Sequence, residues 1–170
     1  GGLELGTHPE TAAAVTRAVK SASSLPAIVK LTPNVTDIVE IAIAVADAGA
    51  DAISLVNTFV GMSIDISNRR PGLSTIMGGL SGPAIKPLAL SMVYKVAGAV
   101  DIPVIGIGGI SNASDALEFI MAGASAVQVG TANFLNPRAC FDVLEGLEDY
   151  MRKGDIDSLS SLVGVARVDG

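Results

Sequence analysis

The chain has 170 residues, 49% of them apolar, with a formal net charge of −6 and a pI near 4.6. That length supports one α/β domain with a true core, and no break in composition marks a second. The acidic balance and the scattered, unstriped basic residues argue against nucleic acid as a partner, because a phosphate backbone would be repelled.

Taken in chain order, the opening Gly1-Gly-Leu-Glu has neither a basic start nor an apolar signal core, which leaves the cytoplasm as the expected location. His8 precedes Pro9 with no second histidine or acid at ligand spacing, so it reads as a surface or capping residue and no metal site is expected. A first buried strand is expected at Ala27–Leu31, and a helix at about Thr36–Ala48, announced by Asn34-Val-Thr-Asp. The second strand is Ala52–Val56. The long apolar stretch Ile38 to Val56 is broken by Glu40, Asp47 and Asp51, so it is not the roughly 20-residue span that a membrane helix requires. Arg69-Arg70 is expected in a polar loop, with an interface role as the lesser alternative, and the dispersed methionines read as packing residues. Ser81-Gly-Pro then opens a helix over Pro83–Ala99, followed by a third strand at Val104–Ile107. Ser111-Asn-Ala-Ser-Asp starts a helix at Ala113–Ala122, Ala126–Val129 is the fourth strand, and Asn136-Pro starts a helix at Pro137–Arg152. A short helix is expected at Ile156–Val163, and Cys140, the one cysteine, reads as a buried packing residue that can form no internal disulfide or cluster.

The β-α-β-α-β-α-β-α order predicts a parallel sheet. An internal repeat strengthens this. Leu25-Pro-Ala-Ile-Val, a helix and Ala48-Gly-Ala-Asp-Ala-Ile-Ser-Leu-Val-Asn correspond to Ile102-Pro-Val-Ile-Gly, a helix and Ala122-Gly-Ala-Ser-Ala-Val-Gln-Val-Gly. In each copy the glycine of Ala-Gly-Ala ends a helix in the left-handed conformation. Repeated βαβ units favour a (βα)8 TIM barrel over a doubly wound open sheet, whose Gly-x-Gly-x-x-Gly fingerprint does not follow the first strand. A whole barrel takes about 250 residues, so residues 1–170 are expected to be a single partial domain supplying about the last four βα units. Such a half-barrel would expose side chains that normally fill the interior.

Four groups of residues carry candidate chemistry. Gly108-Gly109 and Gly130-Thr131 end the third and fourth strands, where barrels bind phosphate with free amides; the alternative is that the glycines only permit tight turns. Gly78-Gly-Leu-Ser-Gly-Pro frees amides for an anion or a ring carbonyl, or forms a flexible active-site loop. Lys30 stands at a strand end facing the barrel mouth, where a cation could stabilise an anionic cofactor, although lysines commonly reach solvent along their stems. Asn57-Thr58 offers donors and acceptors suited to an imide or a carboxylated pyrimidine ring, or else caps a turn.

Lys30-Leu-Thr-Pro-Asn-Val-Thr-Asp, Val56-Asn-Thr, Gly78-Gly-Leu-Ser-Gly-Pro-Ala-Ile-Lys-Pro-Leu-Ala-Leu, Ile105-Gly-Ile-Gly-Gly-Ile and Ala122-Gly-Ala-Ser-Ala-Val-Gln-Val-Gly-Thr occur together, in order, over nearly the whole chain. In this the sequence resembles the class 1B dihydroorotate dehydrogenases, FMN-containing enzymes of pyrimidine biosynthesis that oxidise dihydroorotate to orotate. The resemblance implies that Lys30 binds FMN and stabilises its reduced form, that Val56 touches the isoalloxazine and that Gly82 approaches it. Gly108, Gly109, Gly130 and Thr131 would hold the phosphate, and Asn57 and Thr58 the orotate ring. It further implies a homodimer, and a second subunit carrying FAD and an iron–sulfur cluster that passes electrons to NAD. The family's base is a cysteine in a Cys-Pro-Asn loop that this sequence does not contain, and Cys140 lies too far along the chain to replace it. The fragment alone is therefore expected to be inactive. Class 1A enzymes, which use fumarate, are the runner-up, followed by dihydropyrimidine dehydrogenase; a non-catalytic half-barrel that binds a phosphate-bearing ligand or dimerises through its open edge is the alternative from another class.

Overall fold

The structure, a computed structural model, describes residues 5–168. In chain order it begins with α1 (Pro9–Ala22), β1 (Ile28–Leu31), α2 (Ile38–Asp47) and β2 (Ala52–Leu55). An arm of four short strands follows: β3 (Phe59–Met62), β4 (Ile64–Asp65), β5 (Arg70–Pro71) and β6 (Met77–Leu80). The chain then enters a 3-10 turn (Pro83–Ile85) that continues as α3 (Lys86–Ala97), β7 (Val104–Ile107), α4 (Ala113–Met121) and β8 (Ala126–Gln128). A short α5 (Ala132–Leu135) and the longer α6 (Ala139–Lys153) complete the main elements.

β1, β2, β7 and β8 form one parallel sheet in that spatial order. Neighbours in space are thus successive in the βα series, as in a barrel wall, with none of the order reversal of a doubly wound sheet. Register separates the two faces, because successive side chains of a strand point to opposite sides. Leu31, Leu55, Gly106 and Val127 form one row across the sheet. This row faces the helices: Leu31 and Leu55 are buried, and a Cβ on Gly106 would lie 2.5 Å from the Phe119 ring of α4. Phe119, fully buried, occupies the space that the missing side chain leaves, a burial worth about 1.5–3 kcal/mol.

Lys30, Ser54, Ile105 and Ala126 form the alternate row, which lines the concave side. Ser54 is buried in the middle of it, whereas Lys30 and Ala126 at the two edges are exposed. Expecting four uniformly buried strands was therefore wrong for the outer pair: Ile28 of β1 is 54% exposed, and Ala126 and Gln128 of β8 are exposed too. They have a neighbour on one side only, which is the exposure expected of a partial wall.

Both Ala-Gly-Ala turns have the expected form, with Gly49 at φ 96 and Gly123 at φ 122 immediately after the helix ends. Other expectations need correction. The region before Ala27 contains α1, which packs on α2 through Ala12, Ala13 and Thr16 and was not foreseen. The segment read as lacking strong structure is the arm, in which β3 pairs with β6 and β4 with β5, both antiparallel. Met62 and Met77 face one another across it and are half exposed, so they are not core packing residues. Arg69 turns the tip at φ 55, and Arg70 lies in β5. Ile156–Val163 contains a 3-10 turn at Leu159–Leu162, not an α-helix. Cys140 is exposed on α6, and its thiol lies 3.5 Å from the Asn133 Oδ1 that accepts from it. It belongs to the polar face of an amphipathic helix whose buried residues are Ala139, Val143 and Leu147.

No helix among the described residues is long and apolar enough to cross a membrane.

Candidate functional site

The loops that leave the carboxyl ends of the four sheet strands surround one cleft of about 450 Å3, within the roughly 300–1,000 Å3 typical of small-molecule sites. All nine residues singled out in the sequence line it. Lys30 comes from β1, Val56, Asn57 and Thr58 follow β2, and Gly82 precedes α3. Gly108 and Gly109 follow β7, and Gly130 and Thr131 follow β8. Convergence of residues spread over a hundred positions follows from topology: in a parallel wall every strand ends at the same rim.

The floor is apolar, with Val56, Ile85 and Ile110 buried and Ile107 half-buried. Lys30 is exposed and makes no hydrogen bond or ion pair to the described residues, so its ammonium remains available to a ligand. The Asn57–Thr58 segment is held from two sides. The Asn57 N–H donates to the Leu31 carbonyl at 3.0 Å, and the Val56 N–H to that of Ile107 at 2.9 Å. Asn34, which sequence reasoning placed only as a helix-start signal, clamps the far end. Its side-chain amide donates to the Thr58 carbonyl at 3.0 Å, and its Oδ1 accepts from the Val60 N–H at 2.9 Å. A residue with one donor and one acceptor can bridge the two ends of a turn in this way. The arm contributes through Gly79, where an added Cβ would collide with the Thr58 side chain.

On the opposite wall, the N–H groups of Gly108, Gly109, Gly130 and Thr131 have no backbone acceptor among the described residues. Unpaired amides at strand-to-helix turns form an anion site. Gly109, at φ 75, sits where no side chain fits: its Cβ would lie 2.9 Å from both the Gly82 carbonyl oxygen and the Lys86 nitrogen. Gly130 differs, since a Cβ there would meet nothing within 4 Å. Thr131 donates its hydroxyl to Ser81 Oγ at 2.8 Å, linking the β8 turn to the loop before Gly82. Asn133 and Phe134 of α5 complete that side.

Beside the Gly108-Gly109 turn lies a charged group that sequence reasoning missed. Lys86, in the first turn of α3, bonds Asp115 Oδ1 at 2.7 Å and Glu118 Oε1 at 2.8 Å. Asp115 Oδ2 accepts the Ser111 N–H at 2.9 Å, and Asn112 caps α4 through the Asp115 N–H. Burial pushes the Asp115 carboxyl up, but the Lys86 ammonium and the Ser111 N–H outweigh it and hold it below the ordinary value of 3.8. Lys86 is raised above the ordinary 10.5 by its bonds to Asp115 and Glu118. The one clue in the sequence was the lysine inside Gly82-Pro-Ala-Ile-Lys; its partners, some thirty positions on, could be found only in three dimensions.

A parallel barrel wall carrying an apolar-floored cleft, one free cation and two amide-rich turns defines a (βα)-barrel protein whose cleft has the chemistry to receive an anionic group. The sequence model of the dihydroorotate dehydrogenase family matches residues 1–151, and the chain belongs to that family. It is 58% identical over 164 residues to the "Dihydroorotate dehydrogenase B (NAD(+)), catalytic subunit" of Alkaliphilus oremlandii, a match covering 96% of this chain and 54% of the relative. The protein of the same name from Alkaliphilus metalliredigens is 59% identical over 164 residues, with the same shares covered. That of Desulforamulus reducens is 56% identical over 168 residues, covering 99% of this chain and 55% of the relative. The chain thus spans about half the length of the curated relatives it matches.

Proposed function

We propose that residues 1–170 form a single partial domain, the flavin-gripping part of a class 1B dihydroorotate dehydrogenase that works in the cytoplasm in pyrimidine biosynthesis. The observation that carries this reading is the convergence of Lys30, Val56, Asn57, Thr58, Gly82 and the two amide turns on one cleft. The cleft suits FMN by its chemistry: free amides for a phosphate, an apolar floor for a flat ring system, and a cation for negative charge. FMN, when bound, supplies the two-electron acceptor for oxidation of dihydroorotate to orotate. The chain's own residues bind and orient. Gly108, Gly109, Gly130 and Thr131 hold the phosphate through their N–H groups, the Thr131 hydroxyl would turn from Ser81 Oγ to donate to it, and Val56 and Gly82 border the ring. Lys30 places positive charge in the cleft, and Asn57 and Thr58 offer amide and hydroxyl groups to the substrate's carbonyl and carboxylate oxygens. A base supplied from outside these 170 residues takes the substrate proton, since no residue lining the cleft has the family's cysteine chemistry. The word "subunit" in the relatives' names supports a partner protein, which we propose carries FAD and an iron–sulfur cluster and passes electrons to NAD, with the barrel itself a homodimer.

Intact mass and a flavin spectrum of the protein purified from its source come first, followed by dihydroorotate turnover. The expected result is bound FMN and orotate formation, with Lys30→Met lowering kcat on the order of 100-fold, as loss of one electrostatic stabiliser does, at unchanged melting temperature. A colourless protein that takes up no FMN refutes the reading.

A further inference from the structure

We infer that Lys86 is a positioning residue for the anion-binding rim, an assignment that rests on the flavin reading above. It stands in the first turn of α3, and Asp115 in the first turn of α4, so their 2.7 Å bond ties together the two helix starts that follow Gly82 and Gly109. The turns it joins already lie close together, since a Cβ added at Gly109 would come 2.8 Å from Lys86 Cβ and 2.9 Å from the Gly82 carbonyl oxygen and the Lys86 nitrogen. The other oxygen of Asp115 holds the Ser111 N–H. Asp115 therefore anchors the carboxyl end of the Gly108–Asn112 loop, and Lys86 anchors Asp115. Charge works in the same direction. Asp115 and Glu118 place two carboxylates in the first two turns of α4, which follows the amides that would receive an anion, and unpaired they would oppose it. The Lys86 ammonium offsets them. Of the two, Asp115 matters more, with a side chain 12% exposed against 45% for Glu118, because exposed ion pairs contribute little.

The test compares FMN with riboflavin, which has the same ring and no phosphate, by quenching of flavin fluorescence in the full-length protein. Lys86→Met is expected to weaken FMN on the order of tenfold, about the effect of losing one hydrogen bond to a charged group, and riboflavin less than about twofold. Lys86→Arg, which keeps a cation there, is expected to retain most of the FMN preference. Equal weakening of both flavins by Lys86→Met, or no weakening of either, overturns the inference and leaves the flavin reading intact. If Lys86→Met does not fold, Asp115→Asn decides by the same ratio, since it keeps an acceptor for Ser111 and removes the charge pair. An unmutated protein that binds neither flavin overturns the flavin reading and this inference with it.

Discussion

Alanine at Gly109 and alanine at Gly130 make the same chemical change at two glycines of one cleft, and the structure assigns them opposite consequences. At Gly109 the new methyl group would lie 2.8 Å from Lys86 Cβ and 2.9 Å from the Gly82 carbonyl and the Lys86 nitrogen, where ordinary contact starts at 3.4 Å. Two of these neighbours are backbone, so relief requires the turns to separate by about half an ångström. The φ of 75 adds a further cost. A left-handed alanine costs about 1–2 kcal/mol and overpacking about 1–3 kcal/mol, so Gly109→Ala should destabilise by about 3 kcal/mol. For a protein of this size class that is a fall of roughly 6–12 °C in melting temperature. At Gly130 the methyl enters open space and φ lies outside the left-handed range, so the melting temperature of Gly130→Ala should stay within about 1 °C of the parent. FMN binding should nevertheless weaken in both, at Gly109 because the amides are displaced and at Gly130 because the methyl occupies ligand space. The assay is thermal unfolding of the full-length flavin-free protein beside an FMN titration. A Gly109→Ala protein that melts like the parent would refute the packing argument. A Gly130→Ala protein with undiminished FMN affinity would refute the placement of the anion at that turn.

Asn34→Ala removes the bridge across the Asn57–Thr58 turn and leaves the Thr58 carbonyl and Val60 N–H without their partner. The expected cost is about 1–3 kcal/mol, appearing in steady-state kinetics mainly as a raised KM for dihydroorotate; an unchanged KM would show that the turn is held by other contacts. For Asp115, whose folded pKa is lowered from 3.8, the stabilisation is present above the ordinary value and disappears as pH falls through the depressed one. Lys86, raised from 10.5, contributes below that value and loses its share as pH climbs through the raised one. Urea midpoints should therefore show the parent's advantage over Asp115→Asn level from neutral pH to about 5 and shrinking below about pH 4; an advantage that grows on acidification would contradict the lowered pKa.

The wall of the fold was legible because its signals are local. Apolar β-branched runs, Ala-Gly-Ala turns and capping residues each act over a few positions, and their order alone specifies a parallel sheet. The rim could be read for the same reason: a parallel strand that ends in Gly-Gly or Gly-Thr must present those residues where all the strands end. What stayed hidden needed tertiary context. The amphipathic pattern of α1, with Pro9 at its start, is itself present in the sequence; what is not legible there is its place as a structural layer, which comes from burial against α2. The arm pairs Phe59 with Leu80 far from its tip, a four-residue turn after Asp65 that carries none of the Asn-Gly or Asp-Gly signals of a tight hairpin. Cys140 was misjudged because a free cysteine is usually buried, a tendency that yields to the phase of the helix on which it lies. Lys86 stands inside the family motif, but its role depends on partners that lie on a different helix.

The arm also governs when the cleft can come into being. β2 and β7 are neighbours, yet Ile53 and its partner Val104 are 51 positions apart, whereas Ile28 and Ala52 are separated by 24 and Ile105 and Ala126 by 21. Each doubling of a closed loop costs only about 0.6 kcal/mol at equilibrium, so the final stability hardly registers the arm's length. Folding rate is more sensitive, because distant pairings must be closed before they are rewarded. The two βαβ units, β1–α2–β2 and β7–α4–β8, are the local pairings of the parallel sheet, and the seam between β2 and β7 is its least local one. Lys30 and Asn57 stand on one side of that seam and Gly109 and Gly130 on the other, so this cleft exists only once the seam has closed, and a ligand that bridges it will act as a clasp on the least local pairing of the parallel sheet.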